Sequence, residues 1–110
     1  MEKPPIVCLC GSTKFYEKFQ EYNFKFTLRG QIVLSIGADT KSDDSHFANL
    51  SPEEFNSVKQ DLDELHKRKI DLCDYVFVLN VGGYIGESTR SEIEYAIEHN
   101  KPVKYLENIT

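Results

Sequence analysis

The chain predicts an α/β domain: a parallel sheet of four to five strands with helices on both faces. Two observations carry that expectation. Short apolar, β-branched runs alternate with segments of helical period, and the third of these runs, Tyr75-Val-Phe-Val-Leu-Asn80, is apolar at nearly every position, as a central parallel strand requires. A third observation bounds the size. With 110 residues and 40% hydrophobic content the chain can fill one core, so residues 1–110 read as a single domain.

In order, Ile6-Val-Cys-Leu-Cys10 reads as a buried first strand, ended by Gly-Ser. Phe15, Phe19, Tyr22 and Phe26 then recur at helical spacing, with Ser12 or Thr13 as cap and Gly30 as stop; this aromatic stripe belongs to the core rather than to a base-stacking surface. Gln31 to Ile36 forms a second strand. The polar stretch Gly37 to Leu50, holding Asp39, Asp43, Asp44 and His46, is long for a plain connection and reads as a lid over a site or a locally disordered loop. Ser51-Pro-Glu-Glu54 places a capping Ser, a Pro at the first helical position and a Glu at the third, so a helix starts there. Its stripe runs through Phe55, Val58, Leu62, Leu65, Ile70 and Cys73, with room for a break near Gln60. After the third strand, Ile93, Ala96 and Ile97 give a last helix its apolar face, Asn100 ends it, and Pro102 to Leu106 is the final strand. The βαβαβαβ order implies right-handed crossovers and a small flavodoxin-like (Rossmann-like) sheet.

Composition excludes several functions. A net charge of -5 and a pI near 5.1 do not suit a protein that coats nucleic acid or an anionic membrane. No run approaches the length of a bilayer span, and Met1 to Pro5 lacks an apolar signal core, so a cytoplasmic location is expected. Three cysteines, two of them alternating within the first strand, read as reduced strand residues. Cys8, Cys10 and Cys73 lack the paired spacing of a metal site, and neither metal nor cofactor is expected.

Three loops should meet beyond the carboxyl ends of the strands, where sheets of this kind bind ligands: Gly11-Ser-Thr-Lys14, the 37–50 stretch, and Val81 to Thr89. Backbone N–H groups of Gly11, Ser12, Thr13, Gly83 and Gly86, and the hydroxyls of Ser88 and Thr89, could hold a phosphate or sugar there. Neither a dinucleotide fingerprint nor a Walker A loop is present. The lesser alternative is that these glycines only allow two tight turns, which is disfavoured because two glycine/hydroxyl loops converge at one sheet edge. Glu92 has two readings as well: Thr89-Arg-Ser-Glu92 fits a capping box, while Ser88 as cap would turn Glu92 toward the ligand edge. Arg90 is an anion ligand or a solvated charge.

Cys10-Gly-Ser12, Asp74-Tyr-Val-Phe-Val78, the Gly/Ser loop leading to Glu92-Ile93, and Asn100-Lys-Pro-Val103 together resemble the nucleoside 2-deoxyribosyltransferase superfamily, which includes the 2'-deoxynucleoside 5'-phosphate N-hydrolases. The likeness spans nearly the whole chain and is most specific from Asp74 to Leu106. It implies that Glu92 attacks the anomeric carbon of a deoxyribosyl group, that the Gly11-Ser12 and 86–89 loops hold the sugar and any 5'-phosphate, and that the protein is a homo-oligomer acting on a small nucleoside or nucleotide without a cofactor. Cys8 stands where the superfamily usually has Tyr, and His66 where it usually has Asp. His66 is then a candidate acid for the departing base, or a helix-face histidine satisfied by a neighbour, and Asp63 a substitute carboxylate. The 82–92 loop is also similar to the Pro-Gly-Gly-x-Gly-Thr-x-x-Glu loop of the lysine-decarboxylase-like phosphoribohydrolases, without the proline. The expected activity is cleavage or transfer of an N-glycosidic bond; the alternative is a non-catalytic protein that senses or sequesters a nucleotide.

Overall fold

The structure, a computed structural model, describes residues 2–37 and 48–108. Strand β1 (Ile6–Cys10) leads through a 3-10 turn, Thr13–Phe15, into helix α1 (Tyr16–Leu28), and β2 (Ile32–Leu34) follows. Helix α2 (Pro52–Leu72), β3 (Tyr75–Val78), a second 3-10 turn at Val81–Gly83, α3 (Glu87–Glu98) and β4 (Val103–Tyr105) complete the order. The sheet is parallel throughout, four strands in the order β2-β1-β3-β4, as expected for a small flavodoxin-like fold. Most of the expected lid, with Asp39, Asp43, Asp44 and His46, lies outside the described residues. No helix among the described residues is long and apolar enough to cross a membrane.

The strand order places the topological switch between β1 and β3, because the chain moves outward to β2 and then returns across β1 to build the other half. Right-handed crossovers require α1 on one face, with α2 and α3 on the other. Two cores result. Val7, Leu9 and Leu79 pack with Phe19 and Phe26 of α1, whereas Cys8, Cys10, Val76 and Val78 pack with Ile70 of α2 and with Ile93 and Ala96 of α3.

Local sequence explains the helix ends. Ser51 Oγ accepts from the Glu54 N–H at 3.1 Å while the Glu54 carboxylate accepts from the Ser51 N–H at 3.2 Å, completing the expected capping box. Gly30 and Asn100 both take the left-handed conformation and close Schellman motifs: Gln31 N–H to the Phe26 carbonyl and Gly30 N–H to Thr27, then Lys101 N–H to Ala96 and Asn100 N–H to Ile97. Asp74 pins the sheet, since its carboxylate accepts from the Ile6 N–H at 2.8 Å and its own N–H donates to the Ile6 carbonyl.

Three helix expectations need correction. Helix α2 runs unbroken for 21 residues through Gln60, which carries no helix-breaking chemistry. Its sheet-facing line is His66, Ile70 and Cys73, at i, i+4 and i+7, so Leu62 (50% exposed) and Leu65 (54%) lie outside the core. Ile97 is likewise 61% exposed, because Ile93 and Ala96 already occupy the line that meets the sheet.

Candidate functional site

Alternation along β1 sends Cys8 and Cys10 to the same face as α2 and α3, and both are completely buried. His66, on the sheet-facing line of α2, reaches them: its Nε2 lies 3.6 Å from Cys8 Sγ and 3.3 Å from Cys10 Sγ. From α3, Glu92 brings Oε2 to 3.8 Å from the same nitrogen. Glu92 is only 6% exposed, and Oε2 makes no hydrogen bond among the described residues. One turn before His66, Asp63 accepts a long hydrogen bond from the Ser88 hydroxyl at 3.5 Å. Asp63 and His66 of α2 thus face Ser88 and Glu92 of α3, and Cys10, the last residue of β1, places this cluster just inside the carboxyl edge of the sheet.

The capping-box reading of Glu92 does not hold. Helix α3 begins at Glu87 behind Gly86, whose extended backbone is the N-cap without a side-chain bond. Thr89 is then inside the first turn and Glu92 in the second, so neither Thr89 nor Ser88 is the cap. Turning the helix start back by these residues swings Thr89 and Glu92 into the interior, where both are buried.

Burial sets the charge state of the cluster. Desolvation pushes the Glu92 carboxyl up to about 7, opposed by the His66 charge and reinforced by Asp63. For His66, burial lowers the pKa, but the Cys8 hydrogen bond and the Glu92 charge outweigh it and the net shift is upward. The Cys8 thiol is lowered to about 5, because the Cys10 thiol can donate to its thiolate and His66 adds a hydrogen bond and a positive charge, against the cost of burial. Cys10 is pushed up by its hydrogen bond to Cys8 and by burial.

The glycine loops are more structural than expected. A Cβ on Gly11 would meet Leu79 Cβ, the Leu79 carbonyl and the Phe19 ring at 3.3 Å, so this glycine permits close packing of β1 against the end of β3. Ser12 accepts from the Lys14 N–H at 3.4 Å and caps the turn through Thr13. Gly82 and Gly83 adopt positive φ in the second 3-10 turn, and the Gly82 N–H already donates to the Glu107 carboxylate at 2.7 Å. Asn80 secures the same segment by exchanging two 2.9 Å hydrogen bonds with the Glu107 backbone. The two loops do meet: Lys14 Nζ sits 3.4 Å from the centre of the Tyr84 ring, and Phe15 packs edge-on against that ring. A groove of about 440 Å³ opens beside them, lined by Lys14 to Lys18, Glu21 and Val81, and holds none of the Glu92 cluster.

Sequence reasoning singled out Glu92, His66 and Asp63 but not the pairing of Cys8 with Cys10 as partners of His66. The signal was present in the i, i+2 spacing, which puts both sulfurs on one face; only the packing of α2 showed which face. Neither a family model nor a curated protein matches the chain.

Proposed function

We propose that the protein binds a nucleoside or nucleotide and cleaves or transfers its N-glycosidic bond, with Glu92 as the nucleophile. The observation that carries this reading is the Glu92 carboxylate itself, buried beside the switch point of a parallel sheet with an oxygen that no hydrogen bond occupies among the described residues. Nothing in the cap of α3 accounts for it. In the first step a Glu92 oxygen bonds to the anomeric carbon while the carbon–nitrogen bond breaks and the base leaves with the electron pair, taking up a proton. Water, or a second base, then bonds to the same carbon and releases the carboxylate; with water, a proton is lost to solvent.

In-line displacement puts the departing base on the far side of the sugar from Glu92. His66, 3.8 Å from the carboxylate and held against β1 by two sulfurs, therefore suits positioning and charging the nucleophile better than protonating the base. Its positive charge favours the ionised carboxylate against desolvation, so the reactive form accumulates as pH rises through about 7. The exposed Leu62, Leu65, Leu72 and Ile97 on α2 and α3 support a homo-oligomer.

The test is release of free base, followed chromatographically, from a panel of deoxynucleosides, deoxynucleoside 5'-monophosphates and NAD. The wild type should turn over at least one class, and Glu92→Gln should lower the rate by about 10³-fold or more. Equal release by both proteins would remove Glu92 from the mechanism. Ligand binding without release by the wild type would leave a nucleotide-binding protein instead.

A further inference from the structure

Three groups converge on a single atom of the buried cluster. Cys8 Sγ, Cys10 Sγ and Glu92 Oε2 all approach His66 Nε2, at 3.6, 3.3 and 3.8 Å. A ring nitrogen offers one proton or one lone pair and cannot satisfy three such neighbours at once. Glu92 Oε2 has no hydrogen-bond partner among the described residues, and burial of an unpaired carboxylate oxygen is costly. A cation held by the two sulfurs and the ring nitrogen would satisfy those three together, with the Glu92 carboxylate as a neighbouring negative charge.

The spacing fits a metal shell. In tetrahedral coordination with metal–sulfur bonds of about 2.3 Å and a metal–nitrogen bond of about 2.1 Å, sulfur and nitrogen ligands stand about 3.6 Å apart. The two sulfur–nitrogen separations, 3.6 and 3.3 Å, lie within a few tenths of an ångström of that value, and the ligand atoms of Cys8, Cys10 and His66 all fall within 4.8 Å of one another. Two sulfurs and an imidazole select a thiophilic ion rather than Mg²⁺ or Ca²⁺, which prefer oxygen. Cys73, the remaining cysteine, is not part of the group; its thiol donates to the Ile70 carbonyl at 3.1 Å.

We infer that Cys8, Cys10 and His66 form a binding site for one thiophilic divalent cation of the Zn²⁺ class, with a fourth position left for water or an incoming group. Ligation takes both sulfurs as thiolates, so binding releases thiol protons to solvent and tightens with pH. An ion held there takes up His66 Nε2, so the loaded protein loses the protonated imidazole that positions and charges Glu92 in the proposed reaction. That consequence rests on the proposed reaction; the binding itself does not.

The probe is Co²⁺, titrated into the metal-free protein under reducing conditions and followed by absorption. One equivalent per chain should produce tetrahedral visible bands together with a near-ultraviolet sulfur-to-cobalt charge-transfer band of two-thiolate intensity, and Zn²⁺ should displace it. Cys10→Ser and His66→Gln should each weaken binding by at least about a hundredfold, and Cys73→Ser should retain it. Absence of the charge-transfer band from wild type at saturating Co²⁺ overturns the site without reference to any variant. So does an unchanged band in a folded Cys8→Ser, Cys10→Ser double variant.

Discussion

The two faces of β1 divide the labour of this domain between alternate residues of one strand. Val7 and Leu9 point to α1 and meet an aromatic cluster in which Phe26 packs edge-on to Phe77 at 5.2 Å and Tyr22 stacks on Phe77 at 5.4 Å. Cys8 and Cys10 point the other way and meet His66 and Glu92. One face gains stability from apolar burial and ring geometry; the other places titratable groups where burial works against their charged forms. A core that was uniform on both sides would have been the simpler way to fold. The asymmetry is the reason for looking for chemistry on the α2/α3 side.

The aromatic face should be the more sensitive to truncation. Phe26→Ala should lower stability by about 3–5 kcal/mol in a denaturant titration, because it removes a buried ring that touches Tyr22, Tyr75 and Phe77. A loss below about 1 kcal/mol would show that this face does not carry the fold.

The polar face should respond to pH in the opposite sense from an ion-paired carboxylate. Glu92 has an ordinary value of 4.5 and titrates at about 7 in the folded chain, so between those limits the folded state binds more protons and stability falls as pH rises. Above the upper limit the ionised, desolvated carboxylate opposes folding. Glu92→Gln should therefore be more stable than wild type at pH 8 by up to about 3 kcal/mol, and the advantage should disappear near pH 4. Thermal melts at the two pH values check this; an advantage that did not change with pH would mean the carboxylate is solvated.

A smaller effect tests how α2 is anchored. Ser51→Ala breaks the capping box that starts the helix carrying Asp63 and His66, and should cost about 1 kcal/mol by urea unfolding. If the loss were nil, the position of His66 would depend on packing against β1 alone.

Much of this was legible in the sequence. Each strand and helix could be read from its period, and the capping residues Gly30, Ser51 and Asn100 act where they were expected, because capping depends on a few adjacent backbone groups; Ser12 caps the 3-10 turn ahead of α1, whose own N-cap is Phe15 without a side-chain bond. Strand ends were less legible: β2 is only Ile32–Leu34, since pairing with β1 stops after Cys8. The error at α3 has a specific cause. Thr89-Arg-Ser-Glu92 satisfies the capping pattern locally, but burial of Thr89 and Glu92 against the sheet started the helix earlier. Leu62, Leu65 and Ile97 were assigned to the interior because they are apolar, whereas facing direction depends on how the helix is rotated against the sheet.

By itself, then, the sequence determined the order of elements, their type, most of their ends and the parallel α/β class, all of which follow from local geometry and hydrophobic period. Only the tertiary structure decided what Cys8, Cys10, His66 and Glu92 are to one another. These residues lie up to 84 positions apart in the chain, and their separations of 3.3–3.8 Å exist only because α2 and α3 pack on the face of β1 that carries the two sulfurs.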